Sequence, residues 1–520
     1  MIKGFLTVSG WTLLSRVLGF VRDILIARFL GTGAAAEAFF VAFSLPNMFR
    51  RFFAEGAFNM AFVPLYAKKL EDASEDADAF ARDAVALMVV VLTVFTVLGI
   101  LFMPALVFAM ASGFADDGRF SLAVSYGRIA FPYILLISLA ALVSGVLNAN
   151  RRFLAAAAAP ALLNIAFISA LLLVWAFPGL VPMATPVPSL IYGQALVWTV
   201  PLGGALQLGL VWWAARRAGH RLMPRHLPRL TPDLKRLAII AAPAALAGGV
   251  VQVNLLVGRQ VASYFDGAVA WLSYADRLYQ LPLGVVGIAI GVVLLPDLSR
   301  RVRAEDREGQ RHALSRATEF ALLLTIPAAV ALLVVPGTLV SVLFERGAFD
   351  ADDTASTAVA LMVYALGLPA FVLQKVLQPV FFAREDTRTP LKYALVSLAV
   401  NAAVAIGLAP VIGFAAAALG TTVASWAMVL LLWLGVRRMG EVARLDDRAR
   451  RRVWRIFVAA AGMGVVIWVT NIVLTPLFGL GLSVLAVAIL VGLGILSYFG
   501  LCQMIGAVRL AELRAALRRG

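Results

Sequence analysis

Cysteine, histidine and recognisable catalytic motifs are scarce in this chain of 520 residues. The single cysteine, Cys502, excludes an internal disulfide and, within an apolar run, is best interpreted as a small buried hydrophobe. The three histidines lie in arginine-rich joints, so no metal site is predicted. Neither a phosphate-binding Gly-x-x-x-x-Gly-Lys-Ser/Thr loop nor a Ser/His/Asp set is present. The sequence therefore argues against ATP hydrolysis and hydrolytic catalysis, and no cofactor is expected.

Charge is also scarce: charged residues make up 14% of the chain and hydrophobic residues 62%. Soluble proteins average about 25% charged and 45–50% apolar, so this composition predicts an all-α polytopic membrane protein. A spanning helix needs about 20 apolar residues, and the apolar runs are too long and continuous for β-barrel strands of about ten. About fourteen transmembrane helices are expected, at 9–31, 37–66, 82–110, 124–148, 154–177, 189–214, 237–265, 268–297, 316–344, 355–383, 391–409, 414–436, 454–475 and 482–506.

The net charge of +16 comes mostly from the joints between these runs, which alternate in charge. Because cytoplasmic joints of membrane proteins are enriched in Lys and Arg, both termini are expected in the cytoplasm. No basic patch with interleaved aromatics lies outside the apolar runs, so nucleic-acid binding is not predicted. The cationic joints are 68–69, 151–152, 216–236, 300–316, 384–392, 437–455 and 509–519.

A long-period repeat is visible in the sequence. Pro132 and Pro369 are 237 residues apart, and so are Asn164 and Asn401. The shared offset predicts two six-helix lobes related by a pseudo-two-fold axis along the membrane normal, although chance matches of Pro and Asn would give the same pattern. Transporters with such repeats often bind substrate between the halves. The expected parts are the N-terminal lobe 1–220, the C-terminal lobe 221–440, and 441–520 with two extra helices and an amphipathic basic tail.

Arginines interrupt the apolar runs at Arg16 and Arg22 in the first, Arg50 in the second and Arg277 in the eighth. An arginine at bilayer depth costs about 2.5–3.5 kcal/mol, so these side chains should face a protein interior or a wet cavity. Guanidinium groups bind phosphate through forked hydrogen bonds and keep their charge at any physiological pH. A set drawn from both halves suits a diphosphate held between them.

Other charged residues of the apolar runs are expected to support this site. Asp23 either lines the cavity with the arginines or pairs with one of them to hold helices together. Amides such as Gln252, Asn254 and Asn401 could ligate a coupling cation, but interhelical hydrogen bonds are the favoured interpretation. The supporting charged residues are Asp23, Glu37, Arg51, Glu55, Arg259, Asp276 and Lys375, of which Arg51 and Glu55 are spaced to neutralise each other on one helix.

Several motifs resemble the MurJ/MviN family of lipid II flippases, which belongs to the multidrug/oligosaccharidyl-lipid/polysaccharide exporter superfamily. The motifs are 15–23 (SRVLGFVRD), 45–51 (LPNMFRR), 53–58 (FAEGAF), 131–139 (FPYILLISL), 274–278 (YADRL) and 383–390 (AREDTRTP). The resemblance implies fourteen helices, made of two six-helix lobes and two C-terminal helices.

The resemblance also implies which residues bind the substrate. The family's essential cavity arginines fall on Arg16, Arg22, Arg50 and Arg277. An acidic position at the start of the second helix, usually Asp, is Glu37 here, which leaves its role less secure. A lysine found in some members is replaced by Ser44, so that contact is not expected.

The expected function is transport without catalysis. Members move undecaprenyl-diphosphate-linked disaccharide-peptide, lipid II, from the cytoplasmic to the periplasmic leaflet of the bacterial inner membrane by alternating access. The membrane potential or an ion gradient is the expected driving force. A monomer is expected, and association with cell-wall synthesis enzymes stays open. Two alternatives also remain: an exporter of another polyprenyl-linked oligosaccharide, and a non-transporting scaffold for cell-wall enzymes. Export of cationic drugs is disfavoured, because such a pump would need an acidic cavity and not one lined by arginines.

Overall fold

A computed structural model of the chain describes residues 2–50, 57–72, 74–180, 187–224, 231–440 and 444–508. Arg51, Glu55 and the basic tail 509–519 lie outside these ranges. Within them every regular element is a helix, apart from an isolated bridge between Arg346 and Phe349. The all-α prediction is therefore confirmed.

Contacts between residues divide the chain into two compact units. The first comprises Met1–Ala270 with Arg346–Asp350. Its helices are α1 (Ile2–Leu30), α2 (Ala34–Arg50), α3 (Ala57–Asp72), α4 (Ser74–Leu101), α5 (Met103–Met110), α6 (Gly118–Ala130), α7 (Tyr133–Ala149), α8 (Phe153–Ala176), α9 (Pro188–Arg217) and α10 (Pro232–Ala262).

The second unit comprises Trp271–Glu345 and Ala351–Gly520. It contains most of α11 (Ala268–Arg303), together with α12 (Arg307–Val334), α13 (Pro336–Phe344), α14 (Ala351–Phe382), α15 (Arg388–Ile412), α16 (Ala415–Arg437), α17 (Asp447–Val473), α18 (Thr475–Gly479) and α19 (Ser483–Met504).

Helix α10 belongs to the first unit because it packs along α3 and also contacts α4 and α5. The first unit thus extends to residue 270, past the lobe boundary expected at 220. A compact unit is defined by contacts and a lobe by its sequence repeat, so the lobe boundaries stay a prediction.

Proline sets several helix boundaries. It lacks an N–H group and clashes with the preceding turn, so it is favoured at helix starts. Pro336 begins α13, Pro132 is the N-cap of α7 and Pro104 lies in the first turn of α5, so three of the expected spans each consist of two consecutive helices. Pro369, the repeat counterpart of Pro132, instead lies inside the continuous α14. A proline match between the halves therefore does not imply the same backbone break.

The described residues include ten helical segments that are long and apolar enough to cross a membrane. Their lipid-facing character shows in large exposed apolar side chains such as Leu496 and Val484, which are 71% and 72% exposed. The four remaining expected spans fall on α1, on α2 with α3, on α10 and on α11. The chain is therefore a multi-pass membrane protein, and the count of fourteen stays a prediction.

The last two long helices, α17 and α19, contact α12 at two places. Between α12 and α19, Tyr498 donates its hydroxyl to the carbonyl of Leu323 at 2.7 Å, within a core cluster that also contains residues of α17. At the start of α17, Arg316 donates to both carboxylate oxygens of Asp446, at 2.5 and 2.6 Å. These contacts make α17 and α19 part of the second unit.

Candidate functional site

Arg22 is the most completely buried of the four predicted cavity arginines, with 8% of its surface exposed. Its Nε and Nη2 atoms donate to Oδ1 of Asp23 at 3.0 and 2.7 Å. Nη1 donates to Oδ1 of Asn164 at 2.9 Å, and the ring of Phe167 lies 5.7 Å from the guanidinium carbon. These bonds involve three of the five guanidinium N–H groups, so Arg22 is fixed in place with donors remaining.

Asn164 ties Arg22 to the backbone of α1. Its Nδ2 donates to the carbonyl of Ser15 at 2.9 Å, while its Oδ1 accepts from Arg22. Helices α1 and α8 are in van der Waals contact at this point: a Cβ built on Gly19 would lie 3.5 Å from the Asn164 amide. A single buried amide thereby bridges two turns of α1 and sets the position of the arginine.

Arg16 on α1 is half-buried, and so is Arg50, the last residue of α2. On a helix, Arg16 and Arg22 point about 120° apart and lie about 9 Å apart along the axis. The described part of the first unit thus brings Arg22 and Asp23 together and places Arg16 on another side of the same helix.

Glu37 lies in an ion network at the beginning of α2. It is 1% exposed, and Oε2 accepts from Nη1 of Arg119 at 2.9 Å. Its Oε1 accepts from the backbone N–H of Val269 at 3.1 Å, at the start of α11. Glu37 therefore joins the beginning of α2 to α6 and to the α10–α11 turn. Its predicted role as a supporting site residue stays a prediction.

Arg119 is the centre of this ion network. Its Nη2 lies 2.6 Å from Oδ2 of Asp117 and 2.9 Å from Oδ1 of Asp266, and its guanidinium stacks 4.5 Å from the ring of Phe114. The hydrogen bond from Arg119 lowers the pKa of Asp117, which also caps α6. Three carboxylates surround one arginine, so the network carries an excess of negative charge.

The remaining predicted site residues lie on other helices. Arg259 on α10 is half-buried, with Nη1 4.0 Å from the sulfur of Met110. In the second unit, Asp276 and Arg277 are half-buried on α11, and Asp276 accepts a hydrogen bond from Gln280. Lys375 on α14 is exposed.

Sequence reasoning missed the partners that hold these charges. Asn164 carried a signal only as a marker of the repeat, and its position within an apolar run was the clue to a buried polar contact. Arg119 and Asp117 fall in a joint between two expected spans, where charge is ordinary. Nothing in the sequence connects Arg119 with Glu37, which lies 82 residues away.

Known proteins similar to this chain agree with one another. A family model described as "Lipid II flippase MurJ" matches residues 26–489. A "Probable lipid II flippase MurJ" from Rhizobium tropici is 43% identical over 100% of this chain and 97% of that protein. A "Lipid II flippase MurJ" from Burkholderia cenocepacia is 39% identical over 85% of this chain and 84% of that protein.

Solved structures show the same fold. One described as "Lipid II flippase MurJ, inward closed conformation" matches with a TM-score of 0.78 and 25% identity, covering 96% of this chain and 98% of that chain. An inward-facing multidrug resistance MATE family transporter matches with a TM-score of 0.67 and 13% identity, over 85% of this chain and 99% of that one. An outward-facing MATE transporter matches with a TM-score of 0.53 and 14% identity, over 85% and 96%. These two neighbours extend the fold likeness to a wider group of transporters.

Proposed function

Since this chain belongs to the MurJ family of lipid II flippases, we propose that it moves lipid II from the cytoplasmic to the periplasmic leaflet of the bacterial inner membrane. The protein is a transporter and not an enzyme. The headgroup enters a cationic cavity whose diphosphate ligands are Arg16, Arg22, Arg50 and Arg277. The polyprenyl tail stays in the lipid throughout.

The environment of Arg22 is the observation that carries this proposal. An arginine within an apolar helix is costly unless it is paired or hydrated, and Asp23 and Asn164 both hold it at fixed geometry. The predicted site residues on α1 and α2 of the described first unit include three arginines, Arg16, Arg22 and Arg50. The acidic ones are Asp23 and Glu37, and Glu37 already forms an ion pair with Arg119. The surplus of positive charge favours an anionic ligand such as a diphosphate.

Alternating access is the proposed mode of movement. It is supported by a fold shared with MATE transporters solved in inward-facing and outward-facing conformations. The membrane potential is the proposed driving force, because moving one elementary charge through 100 mV supplies about 2.3 kcal/mol. Both termini lie in the cytoplasm in this scheme, as the distribution of arginine among the joints suggests.

Lipid II exposed at the outer surface of cells is the direct test. A strain that depends on this protein receives Arg22→Ala or Arg277→Ala, and outward-facing lipid II is labelled from outside. We expect labelled lipid II to fall and total lipid II to accumulate inside, at normal protein levels. Arg128→Ala is the matched control, since Arg128 is an exposed arginine near the end of α6. Normal labelling with both variants, in cells that grow normally, would exclude the arginine cavity.

A further inference from the structure

A small pocket lies inside the first unit between α2, α5 and α10. Its volume is about 90 Å³, and its wall includes Asn47, Met110, Gln252, Leu255 and Arg259. Since a cavity needs about 10–15 Å³ of this volume to hold one water, the pocket has room for several waters or for one small polar group. It is therefore suited to part of a larger ligand.

Gln252 is the feature that points to a ligand. The residue is 6% exposed and lines the pocket. No hydrogen bond links its amide to any residue whose side chain the structure describes. A buried amide without a partner costs about 1–3 kcal/mol, so a polar group inside the pocket, either water or part of a ligand, would stabilise it.

The other polar groups of the pocket are oriented by α2. Asn47 donates its Nδ2 to the carbonyl of Phe43 at 2.8 Å, which leaves its Oδ1 as an acceptor for a ligand. Ser44 donates its hydroxyl to the carbonyl of Phe40 at 2.5 Å, so its oxygen is likewise presented as an acceptor. The pocket thus offers acceptors on α2 and both donors and acceptors on α10.

The charge of the wall selects for an anion. Arg259 is the one charged residue among the described residues that line the pocket. Met110 and Leu255 contribute apolar surface to the wall. A carboxylate next to an amide and a short aliphatic group matches all three features, and this combination occurs in peptides.

We infer that this pocket binds a carboxylate-bearing part of the peptide of lipid II. The inference rests on the proposed function and assigns the peptide a place separate from the diphosphate. Asn47 and Arg50 are three residues apart on α2, so they are neighbours on the helix surface about 4.5 Å apart along the axis. A headgroup whose diphosphate contacts Arg50 can therefore extend its peptide into the pocket.

Two ligands distinguish the pocket from the arginine cavity. The full-length protein in lipid nanodiscs is titrated with lipid II and with undecaprenyl-diphosphate-linked disaccharide that lacks the peptide. Gln252→Met and Arg259→Met should weaken binding of lipid II by about 10- to 100-fold, as expected for lost hydrogen bonds to a charged group. Binding of the peptide-free lipid should change less than about threefold. Gln252→Glu keeps the shape of the side chain, repels a carboxylate and should be equally selective.

Gln260→Met is the matched control on the same helix. The Gln260 amide donates to the hydroxyl of Ser112 at 2.6 Å and lies outside the pocket wall, so this variant should bind both ligands normally. Equal weakening of both ligands, or no weakening of either, would overturn the peptide assignment. The proposed function fails separately, if Arg22→Ala leaves binding of both lipids unchanged.

Discussion

Replacing Asn164 with aspartate separates two roles for the buried arginine. In Asn164→Asp an acceptor oxygen remains 2.9 Å from Nη1 of Arg22, so the arginine stays in place and gains an ion pair. The amide donor to the carbonyl of Ser15 is replaced by an oxygen that faces this carbonyl, which costs about 1–3 kcal/mol. The charge near Arg22 also falls by one unit. An arginine that only braces α1 against α8 should therefore tolerate aspartate, whereas an arginine that binds an anion should not.

The expected size of the effect follows from Coulomb's law. A phosphate oxygen bound on the free side of the Arg22 guanidinium would lie roughly 7 Å from the new carboxylate. At an effective dielectric constant of about 20, two charges at that distance repel by about 2 kcal/mol, or about 30-fold in affinity. We therefore expect Asn164→Asp to bind lipid II about 30-fold more weakly in nanodiscs and to fail in complementation at normal protein levels.

Asn164→Leu is the companion variant, because leucine has a similar volume, removes every hydrogen bond of the Asn164 amide and leaves the charge unchanged. If Arg22 binds the anion, this variant should lose less than about tenfold in affinity, roughly one hydrogen bond's contribution. Near-normal binding with aspartate combined with a large loss with leucine would refute the reasoning and assign Arg22 to bracing the helices.

Two further predictions concern stability. Gly347 has φ +68°, and a Cβ there would lie 2.3 Å from the carbonyl oxygen of Arg28. Gly347→Ala should therefore lower the free energy of unfolding by at least about 2 kcal/mol, as measured by thermal unfolding. Gly33→Ala is the control and should not, because a Cβ at Gly33 would have no atom within 4 Å. Asp117→Asn should lower Tm by a constant amount above pH about 5, and the difference should close below about pH 4. The reason is that a carboxylate whose pKa is lowered in the folded state by Arg119 contributes stability above its unfolded pKa and loses it as pH falls through its folded pKa.

The helices could be predicted from the sequence because lipid imposes a simple rule. Every backbone polar group in the hydrocarbon region needs an internal partner, so long apolar runs become helices. Breaks within those runs were harder to predict. Pro132 starts a new helix and Pro369 does not, although both are prolines at matching repeat positions. Whether the chain breaks there depends on neighbouring helices that re-satisfy the freed carbonyl, which is tertiary information.

The charged site shows a second limit of sequence reasoning. Positions on an ideal helix indicate where Cβ atoms point, and neighbours such as Arg22 and Asp23 diverge by about 100°. The arginine side chain is long enough to fold back, so its Nε and Nη2 both reach Asp23. The net charge that a ligand meets therefore depends on side-chain conformation and on Asn164, 142 residues away. Counting intramembrane arginines predicts the sign of the charge on the preferred ligand. The affinity for that ligand depends on how far each arginine is already neutralised.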